Sequence, residues 1–122
     1  MKPTRIHHII VAYGDQLGYQ HGAKYQIVRL LSQFESVERS ISVVTDHPTL
    51  FDTYPVNVFH LDRSKIKSWG GGGTDHFGIK LKGFEWASRQ DRSDFCVLLD
   101  TDMFWVRNPS ELIQYMQNGR VI

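Results

Sequence analysis

The stretch "FCVLLDTDMF" (residues 95–104) decides how this chain is read, because an apolar run stops abruptly at two carboxylates, Asp100 and Asp102, with one threonine between them. Five apolar residues bounded by polar segments have the length and character of a strand buried on both faces, as in a parallel sheet. In extended backbone, residues i and i+2 project from the same face. Asp100 and Asp102 therefore converge on one side, and Thr101 projects from the other. Two like charges so placed repel unless a cation or hydrogen-bond donors compensate them. Oxygen ligands of this kind suit Mg²⁺ or Mn²⁺, which are held by one or two carboxylates together with waters and substrate phosphates. The plainer reading is a turn in which one aspartate caps and the other is solvated. Position favours the metal, since ligand crevices of open α/β sheets lie at the carboxyl ends of strands.

Upstream, "IIVAYG" (9–14), "ISVVTD" (41–46) and "VNVFHL" (56–61) are three further short β-branched runs that end at turn-forming or polar residues, as buried strands do on leaving a sheet. Between the first two, Tyr19, Ala23, Ile27, Leu30, Leu31 and Phe34 recur at three- and four-residue spacings and predict a helix over about 19–35. "SWGGGGTD" (68–75) interrupts regular structure, as a connector or as a flap over phosphates with Trp69 as its lid. "DHFGIKLKGFEWASRQ" (75–90) then reads as a helix, although Gly78 and Gly83 each weaken it by roughly 1 kcal/mol relative to alanine. An advance of about 100° per residue places Phe77, Leu81, Phe84 and Ala87 on the core-facing stripe, with Ile79 and Trp86 on the reverse face. Lys80 falls inside the stripe, either snorkelling to solvent or facing an anion. Downstream, "NPSELIQYM" (108–116) opens a helix with Asn108 as N-cap, Pro109 at its first position and Glu111 completing a capping box. Gly119 ends it, and "RVI" (120–122) begins another strand.

Composition narrows the function. The 122 residues read as a single α/β domain with a mostly parallel, Rossmann-like sheet flanked by helices, and 41% hydrophobic residues suffice for a core. A formal charge of +1 gives no broad attraction for nucleic acid or anionic membrane, so an anionic ligand must be held locally. The single cysteine, Cys96, excludes an internal disulfide and reads as a small buried hydrophobe. "IHHIIVAYG" (6–14) is too short to span a membrane and lacks a cleavage site, and Pro109 spoils the one N-x-S pattern, so a soluble cytoplasmic protein is expected. The histidines form no metal motif. His7 and His8 point to opposite faces of a strand, His21, His47 and His60 read as surface residues, and His76 opens the Lys80 helix.

The segment "HFGIKLKGFEWASRQDRSDFCVLLDTDMFWVRNPSELI" (76–113) resembles the donor half of metal-dependent glycosyltransferases of the GT-A fold, close to the glycogenin and galactosyltransferase-like group. The resemblance implies a nucleotide-diphospho-sugar donor, a UDP-sugar above all, and Mn²⁺ or Mg²⁺ bound by Asp100 and Asp102. It implies that Asp100 contacts the metal or the donor ribose with Thr101 beside it, and that Lys80 faces the diphosphate or the sugar. Ala12, Tyr13, Gly14 and Asp15 would line the nucleotide, Tyr13 as a stacking ring, and Asp46 would contact the base. Members of this group continue beyond such a segment. The expectation is therefore a donor-binding half that completes its site with further chain or by self-association, acting on an acceptor of unknown identity. The rival is a nucleotide-binding or assembly module with the same fold and no chemistry.

Overall fold

The structure, a computed structural model, describes residues 5–14, 17–33, 38–71, 76–91, 93 and 95–100. Strand β1 (Arg5–Ala12) leads through helix α1 (Leu17–Gln33) to β2 (Glu38–Thr45). A 3₁₀ turn (Pro48–Phe51), β3 (Asn57–His60), α2 (Arg63–Trp69), α3 (His76–Ser88) and β4 (Phe95–Leu99) follow. The strands form one parallel sheet in the order β3-β2-β1-β4. The chain is thus an α/β unit of Rossmann-like construction. The helix expected over 108–119 and the strand at 120–122 lie outside the described residues.

The central strand explains its own sequence. β1 is bonded on both sides, to β2 and to β4, and is buried from Ile6 to Ala12, which is why it reads as an apolar run rather than an alternating one. Successive side chains point to opposite faces. Ile6, Ile10 and Ala12 join Ala23, Ile27 and Leu30 of α1 on one face, whereas Ile9 and Val11 join Ile79 and Ala87 of α3 on the other. The crossover from β1 to β2 moves one way along the sheet, and that from β3 to β4 moves back across it. Connections of one hand must then cover opposite faces, as these do.

Three expectations are corrected. On α3, Ala87 of the expected stripe is buried and Phe84 packs against the core, but Phe77 and Leu81 are 69% and 45% exposed, and Ile79 and Gly83 complete the buried face instead. The reason is Gly83. A Cβ there would lie 3.2 Å from Val11 Cγ2 and 3.4 Å from Val44 Cγ1, so the helix comes too near the sheet at that position for a large side chain. The largest residues were a misleading guide to orientation. Second, β4 is not buried on both faces. Leu99 is buried, its neighbours are partly so, and Cys96 is exposed, because among the described residues β4 has a strand only on its β1 side.

Third, a short helix, α2, precedes the glycine segment and takes in Ser68 and Trp69, the first two residues read as irregular. Asp62 caps it, accepting from the Lys65 backbone N–H at 2.8 Å and from Lys65 Nζ at 3.2 Å. Trp69 ends that helix and packs edge-on against Trp86, with ring centroids 5.8 Å apart, so it is a core contact of α2 with α3 rather than a lid. Trp86 also meets Phe59 at 5.2 Å and carries Lys65 Nζ 5.1 Å from its ring centroid. On α1, Tyr19 is 45% exposed, and the buried stripe instead contains Gln20 and Gln26 beside Ala23, Ile27 and Leu30.

Candidate functional site

The sheet order places the topological switch point between β1 and β4, where successive connections depart in opposite directions and the loops at the carboxyl ends part to leave a crevice. Tyr13 and Gly14 leave β1 there, Asp46 follows β2, and Asp100 follows β4. Lys80 reaches the same edge from α3. Six of the residues selected from sequence, Ala12, Tyr13, Gly14, Asp46, Lys80 and Asp100, thus sit at one edge of the sheet. Asp15, Thr101 and Asp102 lie outside the described residues.

Asp100 is gripped from both layers. Its carboxylate Oδ1 accepts from Lys80 Nζ at 2.7 Å, and its backbone carbonyl accepts from Gln26 Nε2 of α1. The second bond was not foreseen. Gln26 is 1% exposed and lies on the Ala23–Ile27–Leu30 stripe, and an amide on an otherwise apolar helix face was the signal that could have found it. Gln20 has the same placement. Its Oε1 accepts from Thr45 Oγ1 at 3.5 Å, which ties α1 to the carboxyl end of β2.

The loop after β1 is held by Asp46, whose Oδ2 accepts from the Gly14 backbone N–H at 3.0 Å. Gly14 has φ of +106°, a conformation that L side chains rarely adopt, and a Cβ there would meet nothing within 4 Å. The backbone, not the available space, requires glycine. The other oxygen of Asp46 lies 3.7 Å from His47 Nε2. Ala12 is 1% exposed with its methyl in the core cluster, so its side chain is not presented to a ligand. The Tyr13 ring stacks on His76 at a centroid distance of 5.8 Å and 26° between planes, and its hydroxyl meets His76 Nδ1 at 2.7 Å. One ring face proposed for a base is therefore covered by the first residue of α3.

A divalent ion is tested by what Asp100 offers. Its carboxylate already holds a cation, the Lys80 ammonium, and its side chain is 44% exposed, so that waters have access to complete a coordination shell. No group of three His, Cys, Asp or Glu side chains that could hold a metal stands together among the described residues. The donor chemistry suits an ion of the Mg²⁺ or Mn²⁺ type, which takes one or two carboxylates and draws its remaining ligands from water and phosphate.

A concavity of about 630 Å³ opens at a different place, beside Arg5, Ser42, Asn57 and Asp91. His7 Nε2 and Ser42 Oγ are 2.6 Å apart near it, and His7 Nδ1 is 4.0 Å from Asp91 Oδ2. This serine–imidazole–carboxylate line does not have the geometry of an activated nucleophile. Ser42 is 1% exposed, and the imidazole–carboxylate separation exceeds a hydrogen bond. Among the described residues, no helix is long and apolar enough to cross a membrane. Comparison with protein-family models, with curated proteins and with solved structures finds no match to this chain.

Proposed function

We propose that the chain is the donor-binding part of a metal-dependent GT-A-type glycosyltransferase, acting in the cytoplasm on a nucleotide-diphospho-sugar such as a UDP-sugar. The observation that carries the reading is the Lys80–Asp100 pair at 2.7 Å, a cation and a carboxylate brought together beside the switch point of a parallel sheet. Diphosphate recognition needs both a positive contact for the phosphates and a carboxylate for the accompanying metal, and this is where an open α/β sheet receives such ligands.

Each residue then has a task. Lys80 supplies an ammonium to a phosphate oxygen. Asp100, its backbone fixed by Gln26, presents carboxylate oxygens, with Asp102 as the second ligand implied by the D-x-D spacing. Asp46 sets the Gly14 turn so that backbone, not side chain, borders the nucleotide. Tyr13 and His76 form a paired ring wall. A bound Mn²⁺ or Mg²⁺ would supply Lewis-acid stabilisation of charge on the departing diphosphate. Transfer to the acceptor would draw on further chain or on a second copy.

Calorimetry with UDP, with and without Mn²⁺, tests the reading. Metal-dependent binding that is lost in Asp102→Ala supports it. Metal-independent binding unchanged by that substitution supports the second reading, a nucleotide-binding module without chemistry. The same ion pair favours that alternative, because Lys80 already neutralises Asp100 without a metal.

A further inference from the structure

We propose that the Lys80–Asp100 ion pair is a clasp that keeps the crevice self-occupied, and that diphosphate opens it by drawing Lys80 away and releasing Asp100 to a divalent cation. The inference rests on the donor-binding reading and adds to it an order of energetic dependence between the two ligands.

The argument begins with competition. The ammonium at 2.7 Å from Asp100 Oδ1 and an incoming divalent ion seek the same carboxylate. They repel one another, so the metal alone disfavours the ion pair, and Asp100 is the one acid paired with Lys80 among the described residues. A diphosphate alone must likewise compete with Asp100 for Lys80. When both arrive, each side chain exchanges one opposite charge for another, and neither is left uncompensated. The two ligands therefore bind with positive coupling, and linkage requires each to strengthen the other by the same factor.

The structure supplies parts for such an exchange. Side-chain exposures of 36% for Lys80 and 44% for Asp100 leave the pair in contact with water, where an ion pair is weak and reversible. The backbones carrying the two groups are fixed. Gln26 of α1, 1% exposed, holds the Asp100 carbonyl, while Ile79 and Gly83 seat α3 on the sheet. Only the side chains need to move. The four-carbon stem of lysine allows its ammonium to swing from carboxylate to phosphate without shifting the helix.

The test measures Mn²⁺ binding to the chain by calorimetry, alone and with saturating UDP, in the wild type, Lys80→Gln and Asp100→Asn. Lys82→Gln on the exposed part of the same helix controls for loss of a nearby positive charge. Wild-type Mn²⁺ affinity should rise at least tenfold with UDP. Without nucleotide, Lys80→Gln should bind Mn²⁺ several-fold tighter than both the wild type and Lys82→Gln. In mirror fashion, Asp100→Asn should bind UDP several-fold tighter than the wild type in the absence of metal, because Lys80 has lost its internal competitor. Circular dichroism verifies that each variant is folded, and the two substitutions test the clasp from opposite sides. Coupled UDP and Mn²⁺ binding in the wild type, with neither variant gaining its metal-free or nucleotide-free affinity, overturns the clasp and leaves the donor reading standing. Failure of the wild type to bind UDP and Mn²⁺ in any combination overturns both.

Discussion

At the amino end of the sheet, the Asp91 carboxylate accepts from Ser40 Oγ, lies 3.6 Å from Arg5 and 4.0 Å from the His7 ring, and is 16% exposed. At the carboxyl end, Asp100 meets one cation among the described residues, Lys80, and is 44% exposed. Both are acids beside bases at strand ends. They differ in how many groups satisfy them and how much water reaches them. Several partners and little water make Asp91 a structural tie, and the Ser40 hydroxyl holds its pKa below the ordinary carboxylate value, partly opposed by burial. Asp100 has one side-chain partner among the described residues and more water, which is the setting the donor-binding proposal needs. The chemistry of a side chain does not distinguish a tie from a site; the completeness of its surroundings does.

The buried amino end should dominate the response to acid. His7 and His8 are fully buried on opposite faces of β1, and both titrate lower than an ordinary histidine because burial disfavours the imidazolium; His8 is brought down to about 4. On unfolding they regain the ordinary value near 6.5 and take up protons. From pH 6.5 down towards 4 the unfolded chain therefore binds more protons than the folded one, and stability falls as pH falls. At about 1.4 kcal/mol per tenfold change in proton affinity, His8 alone accounts for a few kcal/mol across that window. Urea unfolding at pH 7 and pH 4.5 measures the loss, and a clearly shallower profile in His8→Met, with the remainder left to His7, would assign it.

Gly83 seats the helix that spans both ends, so filling it should disturb them together. Gly83→Val places branched methyls against Val11 and Val44 and should destabilise the chain by about 1–3 kcal/mol, the range for overpacking. A drop in urea midpoint without a change in slope is the expected reading. Asp91→Ala removes the acceptor of Ser40 and the carboxylate beside Arg5, and should cost about 1–2 kcal/mol by the same measurement. At the other end, Asp100→Asn should change stability by less than about 0.5 kcal/mol, as for an exposed pair, while altering ligand affinity. A loss at Asp100 equal to that at Asp91 would erase the distinction between the two ends.

Much of this architecture was legible along the chain. The runs at 9–14, 41–46, 56–61 and 95–99 marked the strands because parallel strands buried by helices need little polar alternation. The long helix was legible from its spacing. The short α2 was not, since seven residues carry too little periodicity to stand out beside four glycines. The buried face of α3 is rotated from the expected one, and it misled for a different reason: at Gly83 the sheet comes so close that the position facing it must be small, so hydrophobic size alone does not mark the core face.

By itself the sequence determined which residues carry charge at the ends of strands, Asp46 and Asp100, and that a lysine, Lys80, stands on the helix before the last of them. Local patterning can do this because strand period and capping chemistry act over a few residues. Only the tertiary structure decided that Lys80 pairs with Asp100, that Gln26 holds the same residue from the opposite layer, and that Tyr13 rests on His76. These pairings join groups 20, 74 and 63 residues apart. Such partners are set by strand order and by the distance at which each helix can pack, quantities that belong to the assembled layers rather than to any segment.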